Sequence, residues 1–136
     1  MKIWEHTLTP GLVSVLVEAI KFVHRAGKNE FHLQRDLDLS KTAYNNAQKL
    51  RYHALIAKIE EKPGYWCITS RGGQFLRGEI RVPAGVKTFR NKVTGHSDEV
   101  IHIGELRNKI PVFESQFAYE TPERFRILRP ATAKLL

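Results

Sequence analysis

The stretch FHLQRDLDLSKTAYNNAQKLRYHALI, residues 31–56, decides the fold. In its second half Ala43, Ala47, Leu50 and Ala54 recur at i, i+4, i+7 and i+11. That spacing puts them on one face of a helix. The opposite stripe is Lys41, Asn45, Gln48 and Tyr52, with Tyr44 and Arg51 at its edges. Asp38-Leu39-Ser40 reads as the turn before this helix, with Ser40 as N-cap, because a serine hydroxyl accepts from the unpaired amides of a first turn. Ahead of the turn, Leu33, Leu37 and Leu39 are expected to anchor a short helix. A buried stripe made mostly of alanine lets the second helix pack close while its polar face points outward.

Upstream, Thr9-Pro10 marks a helix start, threonine as cap and proline at the first helical position. Leu8 and Val13 have the spacing of a hydrophobic staple across it, and Gly27 is the expected C-terminal stop. Ser14, Glu18, Lys21 and Arg25 form one narrow polar stripe, flanked by apolar Leu12, Leu16, Ile20 and Val23 on one side and Val15, Ala19 and Phe22 on the other. A helix so broadly apolar is either central to the core or half of a dimer interface. Downstream, Lys62-Pro63-Gly64-Tyr65 fits a type II turn, so the flanking IAKIE and YWCIT predict a hairpin. Thr69 or Ser70 is expected to cap a short helix over RGGQFLRGE. Arg81-Val82-Pro83 breaks the pattern and suggests a domain boundary. Beyond it, VKTFRNKVTG and EVIHIGEL are expected as two strands around Gly95-His96-Ser97-Asp98. Asn108 to Thr121 reads as turn-rich, and ERFRIL as a last helical turn or strand.

The chain has 136 residues, 42% hydrophobic and 26% charged, which suits one folded domain with or without a small appendage. The single cysteine, Cys67, excludes an intramolecular disulfide and an all-cysteine zinc site. The longest apolar run, Gly11 to Val23, is interrupted by Glu18 and Lys21 and is too short to span a bilayer. The start, MKIWEHTLTP, lacks the basic lead and small-residue cleavage site of a signal peptide. A soluble, cytoplasmic protein is expected. Net charge is +8, and residues 41–90 hold ten Lys/Arg against three Asp/Glu, or +7 of it. Charge concentrated in this way is the footprint of a polyanion binder.

The order helix, short helix, turn, helix, hairpin, short helix resembles the winged helix-turn-helix family over roughly residues 9–80. The resemblance rests on LQRDLDLSKTAYNNAQKLRYHALI followed by YWCITSRGGQFL, with Leu37, Leu39, Ala43, Leu50, Leu55 and Ile56 standing at the family's core positions. The family often has glycine before the Leu-Ile pair, where this chain has Ala54. It implies an α+β protein: a winged-helix domain over residues 1–82 and a C-terminal β-rich extension over 83–136, packed on the first or forming a dimer contact. It also implies that residues 41–52 are a recognition helix. Asn45 and Gln48 carry amides able to pair with adenine in the major groove. Lys41 and Thr42 stand at the helix start, Tyr44 and Arg51 at its edges suit phosphates, and Lys62 marks the wing tip although Glu60 and Glu61 adjoin it. Arg71 and the basic residues after it extend the footprint.

The expected partner is therefore double-stranded DNA and the expected role a small transcriptional regulator, with a homodimer as a further expectation. The alternatives are an acidic protein partner inside a larger assembly, or RNA or single strands stacked on Tyr44, Tyr52, Tyr65 and Trp66. No enzyme, cofactor, metal or membrane partner is expected. The six histidines fall in no HExxH or Cys/His zinc spacing. His96-Ser97-Asp98 are adjacent and so cannot converge as a triad. Gly72-Gly73 lacks the Lys-Ser/Thr of a phosphate loop, and Cys67 reads as a packed structural residue.

Overall fold

The computed structural model describes residues 2–106. It is a mixed α+β structure built on helix α1, Pro10–Ala26. The Thr9 hydroxyl accepts from the Leu12 amide at 3.2 Å. Gly27, at φ 77°, closes the helix through its amide to the Val23 carbonyl. Leu12, Val13, Val15, Leu16, Val17, Ala19, Ile20 and Val23 are all buried, the valine, leucine and isoleucine side chains each contributing about 1.5–3 kcal/mol by leaving water. The other elements of the same chain cover these side chains. The breadth of apolar surface on α1 is thus absorbed internally, which removes the reason for reading it as half of a dimer interface.

Strand β2 (Phe31–His32) precedes helices α2 (Lys41–Ala47) and α3 (Lys49–Tyr52), strands β3 (Ile56–Lys58) and β4 (Tyr65–Ile68), and helix α4 (Ser70–Leu76). The three strands form an antiparallel sheet in the order β2-β4-β3, with Phe31 opposite Trp66 and Ile56 opposite Ile68. The hairpin turns at Lys62-Pro63-Gly64-Tyr65 as the sequence predicts: the Tyr65 amide reaches the Lys62 carbonyl at 3.0 Å, and Gly64 supplies the positive φ of 84°. The Asn29 side chain bonds both the amide and the carbonyl of Ile68 at 2.8 Å, fixing the end of β4.

Two expectations around α2 are corrected. No short helix forms near Leu33. The Asp36 carboxylate instead accepts from the His32 amide, and the Asp36 amide reaches the His32 carbonyl, both at 2.8 Å. This side-chain bond offers the backbone a closed turn in place of a helix. Residues 41–52 also form two helices rather than one. At Gln48 the ladder tightens, and the Arg51 amide bonds the Gln48 carbonyl at i→i+3.

The remaining strands are β1 (Trp4–Thr7), β5 (Val82–Pro83), β6 (Gly85–Phe89), β7 (Lys92–His96) and β8 (Val100–Ile101), followed by a 3₁₀ turn at Ile103–Glu105. Strand β6 is the middle of an antiparallel sheet β1-β6-β7, and β5 pairs with β8. The expected turn at residues 95–98 is corrected. The hairpin reverses at Arg90-Asn91, both with positive φ (52° and 65°), the backbone of a two-residue type I′ turn. Val82, Ile103 and Leu106 join the same core as α1, so residues 83–106 share their interior with the residues before them. Among the described residues no helix is long and apolar enough to cross a membrane. The readings of Asn108–Thr121 and ERFRIL lie outside the described residues.

Candidate nucleic-acid interface

Helix α2 is seated by small side chains. Ala47 and, in α3, Leu50 are fully buried, while Ala43 is half-buried against the core. The Ser40 hydroxyl accepts from the Ala43 amide at 3.1 Å, starting the helix where the sequence predicts. Lys41, Thr42, Tyr44, Asn45 and Gln48 are all exposed. Lys41, Tyr44, Asn45 and Gln48 turn away from the buried Ala47, while Thr42 sits at the edge of α2 that faces β1. Arg51 is half-buried near their end, its guanidinium 5.3 Å from the centre of the Tyr52 ring.

The chain leaves α3 through a left-handed residue, Ala54, at φ 61°. The Leu55 amide returns to the Leu50 carbonyl at 3.1 Å and the Ala54 amide to the Arg51 carbonyl at 2.9 Å. These two bonds are a Schellman closure, usually built on glycine. The Thr69 hydroxyl donates to the Ala54 carbonyl at 2.7 Å and also accepts from the Gly72 amide at 3.0 Å. One threonine therefore caps α4 and ties it to the end of α3, which fixes the tilt of the exposed face.

Two of the sequence-predicted contacts lie off α2 itself. Lys62 is at the tip of the β3–β4 hairpin, but its ammonium lies 2.8 Å from the Glu30 carboxylate and 5.1 Å from the centre of the Tyr65 ring. Its charge is largely spent within the protein. Arg71 lies in a cleft of about 270 Å³ beyond the end of α3, lined also by Tyr52, His53, Ala54, Pro83, Val86 and His96. His53 is 4% exposed, and neither ring nitrogen meets a hydrogen-bond partner. Burial, together with the charges of His6, Arg71 and His96, pushes its pKa down to about 4.

The stacking mechanism expected for single strands is also corrected in part. Trp66 is 3% exposed, so its ring is closed to a base. One face of Tyr52 is taken by His6, stacked with ring centres 4.9 Å apart and planes at 26°. Tyr65 is engaged by His32 and by the Arg35 guanidinium, which also bonds its hydroxyl.

Sequence reasoning missed β1 and the tip of the β6–β7 hairpin as neighbours of this face. His6 Nε2 and the Thr88 hydroxyl are hydrogen-bonded at 2.9 Å, and the Tyr52 hydroxyl donates to Asn91 Oδ1 at 3.3 Å. On the other side of α2, a cleft of about 510 Å³ runs between β1, the start of α1 and α2, with Thr42, Asn46 and Lys49 on its helical wall. Burial and the nearby Lys49 charge hold His6 below its ordinary pKa. Among the described residues no group of three or more His, Cys, Asp or Glu side chains is placed to hold a metal ion. No family model, curated protein or solved structure matches the chain.

Proposed function

We propose that the protein binds duplex DNA as a winged-helix protein, α2 and α3 entering the major groove, in the role of a small cytoplasmic transcriptional regulator. The order α1, β2, turn, α2–α3, β3, β4 and the sheet order β2-β4-β3 support that reading. So does the basic excess of residues 41–90. The observation that carries it is the exposed stripe of Lys41, Asn45 and Gln48 on helices whose opposite face, Ala47 and Leu50, is fully buried. A carboxamide accepts and donates side by side, which matches adenine N6 and N7, while a lysine meets guanine or phosphate.

The test is selection of a preferred site from random duplexes, followed by the Asn45→Ala, Gln48→Ala double variant. Each good bidentate base contact is worth about 1–3 kcal/mol of discrimination. The double variant should therefore lose roughly tenfold or more of its preference for the selected site. Its salt dependence should barely move, because neither residue is charged. A preference that survives the double substitution would sink the assignment of α2–α3 to the groove.

A further inference from the structure

In a winged-helix reading the β3–β4 hairpin is the natural backbone contact, yet its charge is balanced. Lys58 and Lys62 are matched by Glu60 and Glu61. Lys62 is bound to Glu30, and the Lys58 ammonium lies over the Trp66 ring at 5.8 Å. The β6–β7 hairpin is different. From Gly85 to His96 it holds Lys87, Arg90 and Lys92 and no carboxylate. None of the three is in an ion pair among the described residues.

This hairpin is also fastened to the candidate interface. The stripe Lys41, Asn45, Gln48, Tyr52 ends on the Tyr52 hydroxyl, which bonds Asn91 at the hairpin tip. His6 locks the same corner, stacking on Tyr52 while bonding Thr88. Arg90 and Asn91 occupy the two central positions of the turn, and Arg90 and Lys92 are exposed. The cationic tip thus continues the surface that begins at Lys41, held by three aromatic and polar contacts rather than left to swing.

We propose that the β6–β7 hairpin, through Arg90 and Lys92, is the arm that grips the phosphate backbone beside the groove occupied by α2, and that the β3–β4 hairpin is not. The proposal rests on the duplex-binding reading. Its test is anisotropy of a labelled random duplex of about 30 base pairs, titrated with the full chain between about 50 and 200 mM salt. The hairpin variant is Arg90→Asn with Lys92→Gln, since asparagine tolerates the left-handed backbone at position 90. The comparison variant is Lys58→Gln with Lys62→Gln. Circular dichroism confirms that each folds.

Removing two phosphate contacts should lower the slope of log affinity against log salt by about 1.8. Across that salt range the loss of affinity would then shrink roughly tenfold relative to the unsubstituted chain. The comparison variant should leave the slope within about 0.5 of its starting value. If the unsubstituted chain binds with a steep slope and the hairpin variant keeps that slope, the arm is wrongly assigned while duplex binding stands. The same holds if the comparison variant is the one that loses slope. If the unsubstituted chain does not bind duplex at the lower salt, the underlying reading fails and the arm fails with it.

Discussion

Replacing Gly72 by alanine tests the joint that orients the exposed helix face. Gly72 lies in the first turn of α4, where its amide bonds the Thr69 hydroxyl. A Cβ built there would lie 2.2 Å from the Leu55 carbonyl oxygen and 3.1 Å from a methyl of Ile68. The first neighbour is backbone and cannot swing aside. It would have to retreat by about 1 Å to reach an ordinary contact. That retreat strains the bond from the Thr69 amide to the same Leu55 carbonyl, now 3.2 Å. Overpacking costs about 1–3 kcal/mol, and a weakened hydrogen bond adds about 1 kcal/mol. Alanine returns about 1 kcal/mol as a better helix former. The net expectation is a loss of roughly 2 kcal/mol, or about 8 °C in Tm for a domain of this size. Urea and thermal unfolding followed by circular dichroism measure it. A Gly72→Ala protein as stable as the parent would refute the close approach of α4 to the end of α3.

Gly11→Ala is the matching control, because its Cβ meets nothing nearer than the Thr9 hydroxyl at 3.7 Å. It should stabilise α1 by about 0.5–1 kcal/mol in the same unfolding assay, and a loss of stability there would be the contrary result. At the left-handed Ala54, glycine should be tolerated or stabilising, whereas valine should cost about 1–2 kcal/mol. A valine variant with an unchanged Tm would contradict the Schellman closure. His53 should make the fold acid-sensitive. Above its ordinary pKa of 6.5 the ring is neutral in both folded and unfolded chains. Between 6.5 and about 4 only the unfolded chain takes up the proton, so stability falls with pH across that window, by about 3 kcal/mol in all. His53→Leu should escape this loss. Urea midpoints at about pH 7 and pH 4.5 would show the gap between the two proteins widening on acidification, and a constant gap would contradict it.

The parts of the fold readable in the sequence were those governed by local chemistry. Thr9 and Ser40 cap the helices the sequence expects of them, Thr69 rather than Ser70 caps α4, and Lys62-Pro63-Gly64-Tyr65 turns as its proline and glycine dictate. The exposed side of α2 followed from alanine periodicity alone. What escaped was decided at long range or by side chains acting on the backbone. Strand β1 is short and mostly exposed, and it pairs with residues 85–88, far from it along the chain. No local pattern in WEHT announces that partner. The type I′ turn at Arg90-Asn91 lacks the glycine that usually marks one. Gly95-His96-Ser97-Asp98, rich in turn-forming residue types, instead suggests the reversal in the wrong place. Asp36 turned an expected helix into a single turn by bonding the His32 amide. The Glu30 partner of Lys62 comes from a loop 32 residues earlier, so the sequence could show the charge of Lys62 but not that it is spent.

The most direct test of duplex binding is the affinity of the unsubstituted chain for a random duplex of about 30 base pairs at about 50 and 200 mM salt. With about six phosphate contacts, Lys41, Arg51, Arg90 and Lys92 among them, affinity should fall about 10³-fold between the two conditions. Absence of binding at the lower salt, or binding indifferent to salt, would contradict the account.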